Sequence, residues 1–446
     1  MFHPLLWTYS ILYTFLLIFY LPVFIYRVLV QGKDPKIFFK RIGAPPLRNS
    51  SNPAKPSLWI HAVSVGEVKA IEPLVEALAL DGDQLFISTI TDTGQNLARN
   101  SFQDRACVFY FPFDWKWICR LYLRRLSPTC VLLAETEIWP GFISAAASLD
   151  IPVLLINGRI SDHSFRRYRR IRFFLRPLLH RISLFCVQTR QDRDRIIELG
   201  AASSRVHQLG NLKYDYQLAQ LPEKTQMLQV IQAVLKPDPN DLLWICGSTR
   251  EGEEQTLLEV FQSLSQEFPS LRLLLAPRHP HRVDEIARLV EALQISYLRR
   301  SELNSQKHDP PKVLLLDTIG ELAYLYQLAD VVFVGGSLVP TGGHNIIEVA
   351  YFSKPIIFGP HMENFKEISN AFLESDAALQ VHSGEELPGK ISELLKNPAT
   401  REALGQKARQ VIGDNQGAVG RTLEIVERYL RAERADTDSR QLTHFS

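Results

Sequence analysis

The stretch LWIHAVSVGE, residues 58–67, decides the fold class that this sequence predicts. Its apolar first part, LWIHAVS, has the composition of a buried β-strand. Ser64 and Gly66 then form a tight turn, and Glu67 begins a helical pattern that runs to Leu80. A strand that leads through a short turn directly into a helix is the repeating unit of a parallel α/β sheet. The stretch therefore predicts a doubly wound, Rossmann-like domain.

The same alternation of strand and helix patterns continues along the chain in two series. In the first series the further strand candidates are QLFISTIT (84–91), CVFYFPF (107–113), CVLLAETE (130–137), IPVLLING (151–158) and LFCVQT (184–189). In the second series they are DLLWICGS (241–248), LRLLLAPR (271–278), KVLLLDT (312–318), DVVFVGG (330–336) and PIIFGP (355–360). The breaker run KPDPND before the second series is typical of a domain boundary. We expect two α/β domains, 31–213 and 241–430, joined by the linker 214–240 and followed by a flexible tail, 431–446.

The composition fits a folded two-domain protein and excludes several classes of function. With 446 residues, the chain can form two cores of ordinary size. Its net charge of +2 gives no electrostatic reason to expect a nucleic-acid partner. The five cysteines are scattered without metal-type spacing, which indicates a reducing compartment.

The N-terminal segment, residues 1–30, is expected to be a membrane anchor. The run from Leu5 to Leu29 is almost entirely apolar, carries no charge before Arg27 and is long enough to cross a hydrocarbon core. A cleaved signal peptide is disfavoured, because the run is too long for a signal core and no small-residue cleavage site follows it. Pro22 leaves open whether the helix spans the bilayer or lies in its interface. We expect this run to contact lipid rather than either domain core.

Basic residues near the end of this run predict its orientation. They are Arg27, Lys33, Lys36, Lys40 and Arg41, against the single acid Asp34. Positive charge collects on the cytoplasmic side of membranes, so we expect both domains to face the cytoplasm from the inner membrane. The same charges favour the anionic head groups of membrane lipid.

Polar motifs follow the strand candidates of the first domain, where parallel sheets bind ligands. If two such domains face each other, their ligands are expected in the cleft between them. Glu67 is either an acid that stabilises a helix start or a functional carboxylate; the helix dipole would lower its pKa, and burial would raise it. Glu135, in ETEIWP (135–140), either belongs to a solvated edge or holds a basic neighbour or a sugar hydroxyl. Lys213, in GNLK, can face a phosphate.

The second domain carries four motifs of this kind. The strand-to-helix loop GSTREGE, which contains Gly247 and Ser248, has the form that binds phosphate through backbone N–H groups. The other three are PRHP (277–280), IGE (319–321) and GGHNIIE (342–348). Because four such motifs lie at the ligand end of one domain, ligand binding is a better explanation for them than packing.

A basic and aromatic helix is expected between Ser161 and Arg181. This segment contains seven arginines and one acid, interleaved with phenylalanine and tyrosine. It can lie against anionic lipid or bind the phosphates of a lipid head group. The alternative, a solvated helix face, usually mixes charges of both signs. We expect Arg159, Arg166 and Arg170 to face the lipid or the acceptor.

Together these motifs resemble those of the 3-deoxy-D-manno-octulosonic acid (Kdo) transferases of lipopolysaccharide assembly. The runs that carry the resemblance are HAVSVGE, ETEIWP, NGRIS, GNLK, GSTREGEE, PRHP, IGE, GGSL, GGHNIIE and FGPHMENFK. The resemblance implies the two-domain glycosyltransferase fold called GT-B, with CMP-Kdo as donor. It also implies a lipid A precursor, lipid IVA, as acceptor at the cytoplasmic face of the inner membrane.

The resemblance further implies roles for single residues. Glu67 would be the general base of an inverting transfer, and Glu135 and Lys213 would support its transition state. The residues expected to bind the donor, including the two in the glycine-bearing loop, are Gly247, Ser248, Pro277, Arg278, Ile319, Gly320, Glu321, Asn345, Ile346, Ile347 and Glu348. Among these, Glu348 would contact the ribose.

No metal or other cofactor is expected. An Asp-x-Asp pair, Asp81 and Asp83, precedes a strand, at the end of the sheet opposite the ligand, whereas a metal clamp on phosphate needs carboxylates at the ligand end. Two other interpretations stay open from the residues alone. One is a GT-B enzyme with another donor, such as a UDP sugar, and the other is a catalytically silent membrane scaffold that binds a nucleotide sugar.

Overall fold

The computed structural model describes residues 4–31, 35–43, 56–78, 84–216, 218, 222–303 and 310–442. The chain divides into two units. Unit 1 contains the residues up to Asp215 and those from Gln416 onward, and unit 2 is Tyr216–Asn415. Some charged residues discussed above lie outside the described ranges: Lys33, Asp34, Asp81 and Asp83.

Strands and helices alternate through both units. The strands are β1 (Leu58–His61), β2 (Leu85–Thr89), β3 (Cys107–Tyr110), β4 (Cys130–Ala134), β5 (Val153–Gly158), β6 (Leu184–Val187), β7 (Val206–Gln208), β8 (Leu242–Thr249), β9 (Leu271–Pro277), β10 (Tyr297–Arg299), β11 (Val313–Leu315), β12 (Val331–Val334), β13 (Ile356–Phe358) and β14 (Leu379–Gln380). The helices are α1 (Pro4–Gln31), α2 (Lys36–Ile42), α3 (Val65–Ala77), α4 (Asp92–Phe102), α5 (Lys116–Leu126), α6 (Pro140–Ala147), α7 (Asp162–Arg170), α8 (Arg172–Leu179), α9 (Arg190–Leu199), α10 (Pro222–Leu235), α11 (Glu254–Glu267), α12 (Val283–Ala292), α13 (Leu322–Leu325), α14 (Ile347–Ala350), α15 (Lys366–Glu374), α16 (Leu387–Lys396), α17 (Pro398–Asn415) and α18 (Ala418–Leu442).

Within the described chain, each unit contains one seven-stranded sheet, and all strand pairs are parallel. The strand order is β3-β2-β1-β4-β5-β6-β7 in unit 1 and β10-β11-β9-β8-β12-β13-β14 in unit 2. The direction of winding reverses between β1 and β4 and between β8 and β12. These are the topological switch points, where open α/β sheets bind their ligands. The expected fold class, two Rossmann-like α/β domains, is confirmed.

The sheet of unit 1 is buried on both faces. Trp59 of β1 packs into one core with Phe111 and Phe142, and its neighbours Leu58 and Ile60 pack into the other. Successive strand residues point to opposite faces, so a strand with two buried faces is a continuous apolar run. That is why the strand candidates could be recognised as short apolar runs between helical patterns.

All the strand candidates from the sequence form strands, but the sequence pattern does not predict β7, β10 and β14. These three contain only three, three and two residues. Each lies at an edge of its sheet. Runs of this length are too short to show a periodicity, and an edge strand has less need of an apolar sequence.

The structure corrects the expected domain boundaries. Residues 222–235, expected in a linker, form α10, whose Ile231 and Leu235 are completely buried in unit 2. The expected boundary at residue 430 divides helix α18 between the second domain and a flexible tail. In the structure this helix belongs to unit 1, where Ala418 joins a core with α3. This helix continues to Leu442. An amphipathic pattern shows that a helix covers a sheet but not which sheet it covers.

Helix α1 is long and apolar enough to cross a membrane, yet one face of it packs on unit 1. The span from Leu6 to Val30 has a mean hydropathy of 1.9, and its most apolar part is not buried. Leu6, however, is buried, and Tyr13 and Leu17 pack against the aromatic core of unit 1. The expectation that this segment contacts only lipid is wrong for that face of the helix.

A buried carboxylate connects α1 to the first turn of α6. Asp114 is completely buried and accepts a hydrogen bond from the Tyr9 hydroxyl at 2.7 Å. It also accepts from the N–H groups of Gly141 and Phe142, at 2.9 and 2.6 Å. Gly141 is required here, because a Cβ would lie 2.1 Å from the Asp114 carbonyl oxygen. Asp114 therefore fixes the start of α6, with support from the helix dipole, and the position of α1.

Asp114→Ala is expected to destabilise unit 1 by about 3 kcal/mol, because it leaves the Tyr9 hydroxyl and the N–H groups of Gly141 and Phe142 without their acceptor. Tyr9→Phe removes one donor together with its bond, so it should cost only about 1 kcal/mol. Denaturant titration of the full-length protein in detergent, followed by tryptophan fluorescence, gives both free energies of unfolding. Equal effects of the two substitutions would contradict the capping role of Asp114.

Candidate active site

Two glutamates lie at the ends of neighbouring strands at the switch point of unit 1. Strands β1 and β4 pair with His61 beside Leu133. Glu67 lies in the first turn of α3, directly after β1, and Glu135 directly follows β4. Glu135 has a φ of 56°, in the left-handed region, and its N–H still donates to the Ile156 carbonyl at 2.8 Å. The sheet register thus brings together two acids that are far apart in sequence.

Burial raises the pKa of Glu67 to about 8. The residue is only 7% exposed, and removal from water disfavours the charged form of a carboxyl group. The carboxylates of Glu135 and Glu137 raise this pKa further, whereas hydrogen bonds from the Val63 N–H at 2.7 Å and the Ser64 hydroxyl at 3.0 Å lower it. Of the two opposing effects expected at this position, burial is therefore the larger. A carboxyl group with this pKa can accept a proton near neutral pH.

Glu135 pairs with a lysine and has a second acid beside it. The Lys213 Nζ lies 3.4 Å from Glu135 Oε1, and the two side chains are only 15% and 24% exposed. Burial raises the pKa of Glu137 to about 7; Trp139 opposes this change, and the charge of Glu135 adds to it. The ammonium of Lys213 is thus held at a cluster of three carboxyl groups. Glu137 was not among the predicted catalytic residues, although its place two residues after Glu135 was an available signal.

Two asparagines hold the 3-10 turn Leu212–Asp215, which carries Lys213. The side chain of Asn157 accepts from the Leu212 N–H, and that of Asn211 accepts from the Lys213 N–H, both at 3.0 Å. Asn157, the last residue but one of β5, has a φ of 53°, a conformation that asparagine tolerates better than most residues. Both asparagines lie in the motifs NGRIS and GNLK, but their positioning of the lysine depends on contacts that the motifs do not reveal.

The same turn is attached to the C-terminal helix. Asp215 accepts hydrogen bonds from the N–H groups of Gly417 and Val419, both at 2.6 Å, at the start of α18. These bonds satisfy donors that a helix start leaves without intrahelical partners. Since Asp215 is two residues from Lys213, α18 limits the positions that the lysine can take. This contact joins segments about 200 residues apart, so no local pattern predicts it.

In unit 2 a buried glutamate joins the two loops at the switch point. Glu253 is completely buried and accepts four backbone hydrogen bonds, from Arg250 at 2.8 Å, Gly336 at 2.7 Å, Ser337 at 2.9 Å and Leu338 at 2.8 Å. Charge-assisted bonds of this kind compensate the desolvation of a carboxylate. Glu253 therefore fixes the loop after β8 against the loop after β12, a role that the sequence did not reveal.

Positive charge collects at the ligand ends of β8 and β9. The Arg250 Nη1 lies 2.9 Å from His279 Nε2. Burial lowers the pKa of Arg250 and of His279, and the neighbouring charges of Arg278 and Arg282 lower both further. Arg282 also pairs with Glu254 at 2.8 Å. A local excess of positive charge at a ligand edge favours the binding of an anion.

The two residues at the end of β8 have different roles. A Cβ at Gly247 would lie 2.1 Å from the Tyr326 hydroxyl, so packing requires glycine there. Ser248 is partly exposed and has a φ of 59°, at an irregularity in the pairing of β8 with β9 between Gly247 and Thr249. Of these two predicted donor residues, Ser248 is the one open to a ligand, and Gly247 is explained by its packing.

The other predicted donor residues differ in exposure. The buried ones, of which only backbone groups can contact a ligand, are Pro277, Ile346 and Ile347. The exposed ones are Arg278, Ile319 and Gly320. Ile319 is 85% exposed, so its side chain is open to a ligand.

Three further predicted donor residues are half-buried. Glu321 accepts two hydrogen bonds from Arg300, at 3.0 and 3.1 Å, and one from the Thr318 hydroxyl at 2.6 Å. Its carboxylate therefore holds the loop rather than standing open for a donor. Asn345 and Glu348 lie side by side, with the amide nitrogen 3.4 Å from the carboxylate.

The basic segment forms two helices, not the single helix expected. Helix α7 ends at Arg170 and α8 begins at Arg172, because Ile171 between them has a non-helical ψ of 22°. Arg166 and Arg170 are exposed on α7, as expected for side chains that could meet lipid.

Arg159 lies beside the acid cluster. Its N–H donates to the Thr136 hydroxyl at 3.1 Å, and that hydroxyl donates back to the Arg159 carbonyl. Thr136 stands between Glu135 and Glu137 in sequence, so these bonds tie the end of β5 to the acidic loop.

Metal-ligating side chains are scattered over the described ranges. Within them, no set of three or more His, Cys, Asp or Glu side chains could hold a metal ion. The positive charge near the switch points comes from Lys213 in unit 1 and from the arginines of unit 2.

The sequence is similar to one enzyme family along most of its length. A family model described as 3-deoxy-D-manno-octulosonic-acid transferase (kdotransferase) matches residues 36–216. The 3-deoxy-D-manno-octulosonic acid transferase of Haemophilus influenzae is 34% identical, over 86% of this chain and 89% of the relative. The enzyme of the same name from Bordetella pertussis is 34% identical, over 88% and 91%.

Solved structures show the same fold at lower identity. UDP-GlcNAc 2-epimerase from Neisseria meningitidis is 14% identical, covers 85% of this chain and 100% of its own, and has a TM-score of 0.57. At this identity the likeness concerns the fold alone.

Glu135→Gln is expected to lower the pKa of Glu67 from about 8, because Glu135 is the neighbouring carboxylate that raises this pKa most. The pKa should stay above the ordinary value of 4.5, since burial remains. NMR of ¹³C-labelled glutamate follows the titration. Glu76→Gln, at an exposed position on the same helix, is the matched control and should leave the pKa unchanged. A Glu67 pKa that is equal in both variants would rule out the coupling to Glu135.

Proposed function

Because the chain belongs to the 3-deoxy-D-manno-octulosonic acid (Kdo) transferase family of glycosyltransferases in lipopolysaccharide biosynthesis, we propose that it moves Kdo from CMP-Kdo to a lipid A precursor. The proposed acceptor is lipid IVA, an acylated and phosphorylated disaccharide. The observation that carries the proposal is a buried carboxyl group, Glu67, with a pKa of about 8, near the Lys213–Glu135 ion pair at the switch point of unit 1.

Glu67 is the general base of the proposed reaction. In its ionised form it takes the proton from a primary hydroxyl of the acceptor, as that oxygen attacks the anomeric carbon of Kdo. The bond from this carbon to the phosphate oxygen breaks, CMP leaves, and the configuration inverts. A base with a pKa near the working pH combines a useful ionised fraction with a high proton affinity. The hydrogen bonds from Val63 and Ser64 hold the carboxylate in place.

Lys213 supplies the positive charge in this mechanism. Negative charge develops on the departing phosphate, and a fixed ammonium group stabilises such charge without reorganisation. The ion pair with Glu135 orients the ammonium, and the contacts of Asn157 and Asp215 hold its turn. The mechanism assigns no step to a metal ion.

Unit 2 binds the donor in this proposal. The cluster of Arg250, Arg278 and Arg282 suits the phosphate and the carboxylate of CMP-Kdo, because guanidinium groups bind such anions through paired hydrogen bonds. Ile319 offers an exposed apolar surface to the cytosine ring of the donor. Glu348 is the proposed partner of the ribose hydroxyls.

Helix α1 holds the protein at the cytoplasmic face of the inner membrane in this proposal. Large apolar side chains near α1 are exposed: Phe39 by 69%, Trp117 by 64% and Phe173 by 69%. Because one face of α1 packs on unit 1, these side chains would enter the same membrane interface as the helix. Arg166 and Arg170 would then meet anionic lipid.

A reconstituted transfer reaction tests the proposed function. The full-length protein in detergent is incubated with lipid IVA and with CMP-Kdo that is generated in place, and mass spectrometry counts the added sugars. Kdo-bearing product is expected with CMP-Kdo, and none with a UDP sugar. Failure to form product with CMP-Kdo would contradict the proposal.

Glu67→Gln is expected to lower kcat by roughly 10²–10⁴-fold and to leave CMP binding unchanged, because an amide cannot accept the acceptor proton. Glu76→Gln is again the matched control and should keep full activity. If Glu67→Gln kept more than about a third of the wild-type kcat, the assignment of Glu67 as the general base would be wrong.

A further inference from the structure

A groove of about 600 Å³ lies between helix α1 and the start of helix α5. Its walls include Ile11 and Phe15 from α1 and, facing them, Trp115 and Trp117. Ile11, Phe15 and Trp117 are 52%, 54% and 64% exposed, so the apolar walls are open to the surroundings. A concave site of this size and lining suits an apolar ligand, and a large exposed apolar patch marks an interaction site.

The charged side chains that line this groove are cations. Lys116 and Arg120 lie one turn apart on α5 and line the same groove. Burial lowers the pKa of Lys116, and Arg181 and Arg120, which are also positive, lower it further. A ligand that complements the groove therefore combines an apolar chain with an anionic group.

The groove lies beside the carboxyl end of β3. The acid cluster lies at the carboxyl ends of β1 and β4 in the same sheet. Helix α5 follows the carboxyl end of β3, and β3 is two strands away from β1, which leads to Glu67. Neighbouring strands are about 4.8 Å apart, so the lateral distance is roughly 10 Å. Asp114, which precedes Trp115, caps α6 just after the loop that contains Glu135. A molecule with its chain in the groove can therefore extend its head group toward Glu67.

We propose that this groove binds a fatty-acyl chain of the acceptor, with Lys116 and Arg120 against a phosphate of its head group. The inference rests on the proposed function, which supplies an acceptor that is both acylated and phosphorylated. A membrane phospholipid offers similar chemistry, but its binding would not explain why the groove opens at the sheet edge that carries the base. The groove is a site that selects acylated over deacylated acceptors.

A substitution that fills the groove tests this inference. Ser10 lines the groove from α1. Ser10→Trp should raise the KM for the acylated acceptor in detergent about tenfold, because the indole takes the space of several methylene groups. The KM values for a deacylated acceptor and for CMP-Kdo should not change. Leu12→Trp is the matched control, because Leu12 is 63% exposed on the same helix and does not line the groove.

A second experiment tests whether Lys116 and Arg120 bind the phosphate of the acceptor. Lys116→Gln combined with Arg120→Gln should raise the KM for the phosphorylated acceptor and leave that for a dephosphorylated one unchanged. Arg124→Gln, exposed one turn further along α5 and outside the groove, is the control. A measurement independent of turnover uses an acceptor with a diazirine at the end of one acyl chain. It should cross-link to α1 and α5 in the wild-type protein and much less in Ser10→Trp.

Several outcomes would overturn the inference. One is an equal loss with acylated and deacylated acceptors in Ser10→Trp, and another is no loss with either. A third is weaker binding of Ser10→Trp to anionic phospholipid vesicles with an unchanged preference for the acylated acceptor, since the occupant would then be a membrane phospholipid. If the wild-type protein transferred Kdo to neither acceptor, the proposed function would be contradicted instead. The cross-linking result would still show whether the groove binds the acyl chain.

Discussion

The structure depends on one constraint, the burial of carboxyl groups at the carboxyl ends of β1 and β4. Burial raises the pKa of Glu67 to about 8 and that of Glu137 to about 7, and the charge of Glu135 adds to both. Lys213 compensates the charge of Glu135 at 3.4 Å. Such groups titrate together, so protonation belongs to the cluster as a whole. A cluster of this kind can exchange a proton near neutral pH, which an ordinary exposed glutamate cannot do efficiently.

Other carboxylates hold loops and helix starts in place within each unit. Asp114 holds the start of α6 and the Tyr9 side of α1, Asp215 holds the start of α18 to the turn of Lys213, and Glu253 holds two loops of unit 2. In each case a carboxylate satisfies backbone N–H groups that would otherwise lack partners. Through Asp114 and Asp215, the first and the last helix of the chain are both attached near the acid cluster. A helix suited to a membrane is thus in direct contact with the frame of the site.

The sequence predicted the sheets and the neighbouring positions of Glu67 and Glu135, but not the contacts that hold the surrounding loops. Short apolar runs such as LWIHAVS predicted the strands, and the rule that ligands bind at carboxyl ends placed Glu67 and Glu135 together. The assignment of α18 was wrong, because amphipathicity does not identify the sheet that a helix covers. The roles of Asp215 and Glu253 depend on partners about 200 and 83 residues away, beyond any local pattern. Gly247 and Glu321 were expected to meet the donor, yet packing against Tyr326 and pairing with Arg300 explain them.

The most direct test of the account is the pH dependence of kcat/KM for the wild-type protein and Glu135→Gln, measured side by side. Glu67 accepts a proton only when ionised, so kcat/KM of the wild type should rise with pH and level off above about pH 8. In Glu135→Gln the rising limb should move to lower pH, because a charge that disfavours ionisation of Glu67 is gone. A rising limb at the same pH in both proteins would contradict the assignment of Glu67, tuned by its neighbouring carboxylates, as the base.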